Sequence, residues 1–162
     1  MIAITCALVG AACSGDDGET AEPTTTSAAP TTTSTSVPLT PEEQVEEAYL
    51  YSWEILAEAV EAGDVDKLHA AYDDIAFDLR AGDVERIHAM GLSSTVDVDH
   101  DYTVQVIDAT TAVVVDAYVN HSVLIDPDTG EPVEEDPDTQ HHRAYAMVLQ
   151  DGAWKVTDIV EL

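Results

Sequence analysis

The sequence predicts an α+β fold in which N-terminal helices pack on a curved antiparallel sheet of four or more strands. Apolar residues recur at three- and four-residue steps over 41–62, which is typical of a helix with one buried face. From Val96 onward they alternate with polar residues, as in half-buried strands. Near the end, Asp151-Gly152 separates two apolar segments and is typical of a two-residue hairpin turn. Residues 41–162 are therefore expected to form one domain.

The first thirteen residues predict a lipoprotein-type signal peptide. The apolar run over 2–12 is too short to span a bilayer and ends in small residues just before Cys13. The segment LVGAAC resembles a bacterial lipobox, in which the cysteine carries the lipid. We expect an exported protein, lipid-anchored through Cys13 at the outer face of the cell membrane or in the cell wall. A plain cleaved signal and an uncleaved short anchor are the alternatives.

Residues 14–40 are rich in Thr, Ser and Pro and include TTTSAAPTTTSTS. This composition supplies too few apolar side chains for a core and indicates a disordered tether. A coil of this length averages roughly 30 Å from end to end.

Charge excludes several function classes. The chain has 5 Lys and Arg against 33 Asp and Glu, a formal net charge of −28, so we expect no nucleic-acid binding. Its only cysteines, Cys6 and Cys13, lie in the leader, so the domain has no disulfide and no thiolate for zinc. With no glycine-rich phosphate loop and no nucleophile elbow either, we predict no cofactor.

The helical region contains a short repeat. Thr40-Pro41-Glu42-Glu43 predicts a capped helix start, and this helix should run to about Ala62. The segments AGDVDKLHA (62–70) and AGDVERIHA (81–89) then have the same pattern. Each Gly can end a helix and each Asp can cap the next one, so three helices are predicted before the sheet.

The strand pattern gives each predicted strand a core face. The first strand should be continuous over 96–106, and the second should run from Val113 to Ile125 with Val113 facing the core and Asp116 outward beside Asp101. Two further strands, 142–149 and 154–160, should pair across the Asp151-Gly152 turn. That register would set Asp158 beside Tyr145 on the core face, where a carboxylate needs a partner.

Several of these segments resemble a known superfamily. The long first helix, AGDVDKLHAAYDD (62–74) and the closing DGAWKVTDI (151–159) resemble NTF2-like or SnoaL-like proteins, which implies a cone-shaped fold. The leader, the Thr-rich tether and YVNHSVLIDPDTGEPVE (118–134) look like those of uncharacterised actinobacterial NTF2-like lipoproteins.

A cone-shaped domain would have an interior that can bind a ligand. His100 and Asp158 are the candidate catalytic residues, because a carboxylate that orients an imidazole is the minimum for general acid–base catalysis. A core histidine that is merely hydrogen-bonded to a neighbouring Asp or Tyr is the structural alternative. The candidates for the pocket lining are Tyr49, Trp53, Tyr102, His121 and Tyr145.

The acidic loop between the second and third predicted strands is a candidate for low-affinity divalent-cation binding through Asp126, Asp128 and Glu131. Its spacing matches no complete calcium loop, and a solvated acidic loop is the alternative.

Taken together, these patterns favour a non-enzymatic lipoprotein whose domain binds a small apolar ligand or another cell-envelope component. A SnoaL-like enzyme acting on a hydrophobic small molecule by His/Asp acid–base catalysis is the alternative. The membrane is the expected partner through Cys13, and a dimer is one option for the oligomeric state.

The anchor can be tested directly. The wild-type protein should partition with membranes, whereas Cys13→Ala should release it or leave it unprocessed, because the lipid attaches to that thiol. Fractionation and mass spectrometry of the exported protein check this. An unmodified Cys13 thiol on the exported wild-type chain would contradict the prediction.

Overall fold

The computed structural model describes residues 38–133 and 138–162. The predicted signal peptide, Cys13 and nearly all of the predicted tether lie outside the described residues, as do positions 134–137 of the acidic loop. Among the described residues, no helix combines the length and apolarity needed to cross a membrane.

The N-terminal half contains two α-helices joined through a short 3-10 helix. Their bounds are α1 (Pro41–Ala62), the 3-10 helix (Val65–Ala70) and α2 (Asp74–Ala89). The predicted start of α1 is confirmed: Thr40 Oγ1 accepts the N–H of Glu43 at 3.2 Å, and Glu43 Oε2 accepts the N–H of Thr40 at 2.7 Å. This reciprocal capping box satisfies two donors that the first helical turn leaves free.

The two glycines of the repeat behave differently. Gly63 ends α1 with φ +62°, in the left-handed region, as predicted. Gly82 lies inside α2, so the second predicted helix break is wrong. The buried positions of α2 are Ala76, Arg80 and Val84, four residues apart on both sides of Gly82. Packing of this continuous stripe outweighs the low helix propensity of one glycine.

The C-terminal half is an open antiparallel sheet, which confirms the predicted α+β fold class. The strands are β1 (Ser93–Ser94), β2 (Val98–Asp99), β3 (Tyr102–Val106), β4 (Thr111–Asn120), β5 (Leu124–Ile125), β6 (Thr139–Gln150) and β7 (Ala153–Glu161). The order in the sheet is β2-β4-β6-β7, with β3 also paired to β4, and β1 pairs separately with β5.

The face of β4 that points into the core is the opposite of the predicted one. Val104 lies opposite Val114, not beside Val113, and the buried positions of β4 are Ala112, Val114, Asp116 and Tyr118. Both faces of this strand carry apolar residues, so counting valines did not identify the core face. The predicted continuous strand over 96–106 is also interrupted, because β2 ends before His100 and β3 begins after Asp101.

The closing hairpin is confirmed at its turn and corrected further along. Asp151 and Gly152 both have positive φ, at 50° and 85°, as a type I′ turn requires. A bulge at Thr157 then shifts the register, so that Asp158 lies opposite Ala146 while Tyr145 faces Ile159. The predicted pairing of Asp158 with Tyr145 is therefore wrong, and Ile159 packs against the core instead.

The start of α2 is tied to the edge of the sheet. The N–H of Asp73 donates to the carbonyl of Val156, and the N–H of Val156 donates to the carbonyl of Ala71, both at 2.9 Å. These two bonds fix where α2 begins and hence where its buried stripe meets α1 and the sheet.

The repeat glycines should respond oppositely to the same substitution. Gly82→Ala should raise the free energy of unfolding by about 0.5–1 kcal/mol, because alanine loses less backbone entropy in a helix interior and nothing lies near its new Cβ. Gly63→Ala should lower it by about 1–2 kcal/mol from the left-handed backbone alone. A Cβ there would also lie 2.1 Å from the His88 ring, which would have to move.

Urea unfolding of the two single variants measures both effects, and each variant serves as the control for the other. Stabilisation by both substitutions would show that Gly63 does not require the left-handed conformation.

Candidate functional site

A buried carboxylate is the polar centre of the domain. Asp116, in the middle of β4, has no exposed surface. Its Oδ2 accepts hydrogen bonds from the Tyr49 hydroxyl and from His100 Nδ1, both at 2.6 Å, and its Oδ1 accepts the N–H of Asp101 at 3.0 Å. Three donors from α1 and from the break between β2 and β3 therefore surround one side chain.

The structure gives His100 a different partner from the predicted one. Asp158 lies off the core face, where its Oδ1 accepts the N–H of Ile159 at 2.8 Å. His100 instead pairs with Asp116, so the His/Asp motif is present but the acid was misassigned. With Nδ1 donating to Asp116, Nε2 is the nitrogen left for other contacts. The His100 side chain is only 16% exposed.

The tyrosines around this pair are neutral at physiological pH. Burial, and secondarily the neighbouring Tyr145 and Asp116, raise the pKa of Tyr49 far above its usual range. Burial likewise raises the pKa of Tyr145. The hydrogen bond that Tyr102 donates to Glu46 at 2.7 Å raises the pKa of Tyr102 to about 12. Each hydroxyl therefore keeps its proton and can donate it.

Four of the five predicted pocket residues do meet. The ring centroid of Tyr49 lies 5.5 Å from that of Tyr102 and 5.0 Å from that of Tyr145, and Trp53 lies 6.2 Å from Tyr145. These rings pack edge to face or tilted and fill the middle of the interior.

His121 does not join the aromatic cluster, so its predicted place in the interior is wrong. It follows the end of β4, where Nδ1 lies 2.8 Å from Asp138 Oδ1 and Nε2 lies 3.3 Å from Asp99 Oδ2. The hydrogen bond with Asp138 is the main reason that the pKa of His121 is raised.

Trp53 borders two cavities beside the aromatic cluster. The first, called the main cavity for its place between α1, α2 and the sheet and not for its size, has a volume of about 230 Å³. The second cavity has about 220 Å³ and includes His100, Val96 and Val98 in its wall. The main cavity is lined by Trp53, Leu56, Val60, Arg80, Asp83, Arg86, Ile87, Ser94, Thr95, Val96, Tyr118, Asn120, Ser122, His141 and Arg143.

Arg80, Tyr118 and Arg143 line the cavity but were not predicted from the sequence. Arg80 occupies a core position of α2, four residues from both Ala76 and Val84, and this spacing was the available signal. Tyr118 was missed because the core face of β4 was predicted incorrectly. The Arg143 guanidinium lies 5.9 Å from the Tyr118 ring and bonds Glu161 at 2.6 Å.

The candidate cation ligands lie in a tight turn. Asp126 Oδ1 accepts the N–H groups of Asp128 and Thr129 at 2.8 and 3.2 Å, so this carboxylate already stabilises its own turn. Over 38–133 and 138–162, no group of three or more His, Cys, Asp or Glu side chains is arranged to hold a metal ion.

Several solved structures have an architecture similar to that of this domain. The intermembrane-space region of the chloroplast protein ARC6 is 17% identical, with a TM-score of 0.59 over 77% of this chain and 98% of that one. A calcium/calmodulin-dependent kinase II association domain assigned in Exiguobacterium sibiricum is 10% identical, with a TM-score of 0.51 over 78% and 98%. An NTF2-like protein of unknown function from Shewanella oneidensis is 11% identical, with a TM-score of 0.46 over 70% and 95%.

The domain therefore shares its fold with the ARC6 region and with the association domain. An NTF2-like protein is also among the similar structures, in agreement with the predicted resemblance, and at these identities the likeness shows the fold alone. No family model matches the sequence, and no curated protein sequence matches it.

The tyrosine that binds Asp116 should matter more than an equally buried tyrosine that binds a carbonyl. Tyr49→Phe removes a hydrogen bond to a carboxylate and should lower the free energy of unfolding by about 1.5–3 kcal/mol. In the matched control Tyr72→Phe, the lost bond is the one to the carbonyl of Ser52 at 2.8 Å, and the loss should be about 0.5–1.5 kcal/mol.

Urea unfolding of both variants gives the comparison, and Tyr49→Phe in an Asp116→Asn background gives the coupling between the two side chains. Equal losses for the two tyrosines, or additive losses in the double variant, would show that Asp116 does not hold Tyr49 through a charge.

Proposed function

We propose that this chain is an exported, lipid-anchored protein whose NTF2-like domain binds a small molecule in the main cavity without transforming it. The observation that carries the proposal is the cavity of about 230 Å³ between α1, α2 and the sheet. Part of its wall is apolar and rigid: Val60 and Leu56 are buried on α1, and the Trp53 and Tyr118 rings meet edge to face at 5.3 Å. A preformed concave site with an apolar wall and a few polar groups is typical of small-molecule binding.

The buried His/Asp pair favours binding over catalysis. His100 does not line the main cavity, and Asp116 is fully enclosed by donors from the protein itself. The pair has its hydrogen bonds satisfied within the protein and joins α1 to the sheet, as expected for a core histidine with a structural role.

The membrane anchor rests on the sequence around Cys13. With the lipid on Cys13 and a tether of 26 residues or so, the domain would bind its ligand within tens of ångströms of the membrane surface, by the usual scaling of coil size with length. The proposal includes another protein of the cell envelope as an additional partner. Cation binding by Asp126, Asp128 and Glu131 is a weaker candidate, because Asp126 is engaged within its turn.

An enzyme remains the second candidate because His100 lines the second cavity. Its Nδ1 is held by Asp116, which is the arrangement that would orient Nε2 as an acid or base. If a screen of hydrophobic metabolites by mass spectrometry finds turnover by the wild type that a folded His100→Gln variant lacks, the enzymatic candidate replaces the binding one.

Toluene is a suitable apolar probe for the main cavity. An NMR titration of the full chain should shift the amide signals of residues that line this cavity, because a ring fits against Trp53. Val60→Phe places a larger side chain in the same space and should weaken toluene binding at least tenfold.

Val98→Phe is the matched control, since Val98 lines the second cavity and not the main one. It should leave toluene binding within about twofold, and unchanged melting temperatures would show that both variants fold. Absence of toluene binding to the wild type, or equal losses in both variants, would contradict the location of the site.

A further inference from the structure

Four buried polar atoms in the described part of the chain have no hydrogen-bond partner within it. They are Trp53 Nε1, Arg80 Nε, Arg80 Nη2 and the Tyr145 hydroxyl. The three nitrogens can only donate, and the tyrosine hydroxyl also carries a proton to donate. None of the four has an acceptor at hydrogen-bonding geometry among the described residues, although tyrosine hydroxyls lie near Trp53 and Arg80. Such donors cost free energy and make the surroundings of Trp53 and Arg80 electropositive; both residues line the main cavity, whereas Tyr145 does not.

Arg80 adds a poorly compensated charge to this set. The residue is 6% exposed, and its Cζ lies 5.1 Å from the centre of the Trp53 ring. Its Nη1 lies 3.8 Å from Asp83 Oδ2, while the other oxygen of Asp83 bonds Arg86 at 2.9 Å. One shared carboxylate thus serves two guanidinium groups. A buried charge with so weak a partner is costly unless an anion joins it.

The described residues of the cavity wall carry more positive than negative side chains, whereas the chain as a whole is strongly acidic. Only five Lys and Arg residues oppose 33 Asp and Glu, yet three of the five line the main cavity. These are Arg80, Arg86 and Arg143, and Asp83 is the one carboxylate that the described residues contribute to the wall. Arg143 is matched by Glu161 at 2.6 Å, which leaves Arg80 as the guanidinium most in need of an anion.

The size of the cavity limits what else the ligand contains. A cavity of roughly 150 Å³ lined by apolar side chains holds benzene, so the 230 Å³ here accommodate a single ring or a short branched chain with one small polar group. A planar carboxylate matches the fork of a guanidinium. A single charge suits a wall that also contains Asp83.

We propose that the ligand is a small aromatic or branched apolar molecule bearing one carboxylate, and that Arg80 binds this carboxylate while Trp53 and Tyr118 contact the apolar part. This inference deepens the proposed function and rests on it, since it names the chemical class of the molecule in the same cavity. Arg80 is then the residue that sets specificity for an acid over a neutral molecule.

Benzoate and benzamide form a matched pair of probes, because they differ in charge and hardly in shape. NMR titration of the full chain should give benzoate at least tenfold tighter binding than benzamide, as expected for a charge-assisted hydrogen bond in a buried site. Inorganic phosphate, which has charge but no apolar part, should bind at least tenfold more weakly than benzoate.

Arg80→Gln should reduce the benzoate-to-benzamide ratio to about one. Lys155→Gln removes the same charge at a site outside the main cavity, where Lys155 Nζ bonds the carbonyl of His69, and should preserve the ratio. The melting temperature of each variant reports on folding. If Arg80→Gln does not fold, the ratio measured on the wild type still decides whether the site prefers an anion.

The outcomes separate this inference from the proposed function. Equal binding of benzoate and benzamide by the wild type, with toluene still bound, would overturn the acid ligand and leave a binding cavity for neutral molecules. A ratio that survives in folded Arg80→Gln would overturn the role of Arg80. Phosphate binding as tight as benzoate binding would show that the site does not require an apolar part in its ligand. No binding of any probe would overturn both proposals.

Discussion

A carboxylate deprived of water needs donors from the protein, and Asp116 obtains them from segments far apart in sequence. Tyr49 lies 67 residues away on α1, while His100 and Asp101 lie where β2 gives way to β3. Asp116 accepts the N–H of Asp101, so this backbone group points at a side chain of β4. The edge strand is interrupted at the same place, between β2 and β3. The position of α1 on the sheet, the irregular edge and the orientation of His100 all depend on this one side chain.

The aromatic cluster follows from the same arrangement. Once Tyr49 is held over β4, its ring contacts Tyr102 and Tyr145, and Trp53 one turn later closes against Tyr118. The rings fill the middle of the interior and leave the main cavity on the side of α2. The main cavity therefore lies where Arg80 projects from the buried stripe of α2.

Local signals in the sequence were sufficient for most of the fold. The capping box at Thr40 and the Asp151-Gly152 turn depend on neighbouring residues, and the structure has both as predicted. The errors depend on pairing between distant segments. Apolar residues on both faces of β4 hid its core face, and the bulge at Thr157 moved Asp158 away from Tyr145.

The candidate site was predictable where its residues follow local spacing and unpredictable where they depend on pairing between distant segments. His100 and the aromatic residues of α1 could be placed because they follow regular helix and strand spacing. The acid that pairs with His100 could not, because apolar residues on both faces of β4 hid the inward position of Asp116, and the bulge at Thr157 left no local signal that Asp158 would leave the core face. Arg80 was detectable, since it interrupts an apolar stripe at four-residue spacing, a position where a charge is rare.

With Arg80, Arg86 and Arg143 gathered in one cavity wall, only Lys67 and Lys155 remain to offset acids elsewhere on the domain. An anion approaching from solution meets this long-range repulsion before it reaches the arginines. Its rate of association should therefore increase with ionic strength, because salt screens the distant acids more effectively than the enclosed guanidinium of Arg80. Electrostatic steering usually has the opposite salt dependence, so slow capture is the kinetic regime that this charge distribution favours.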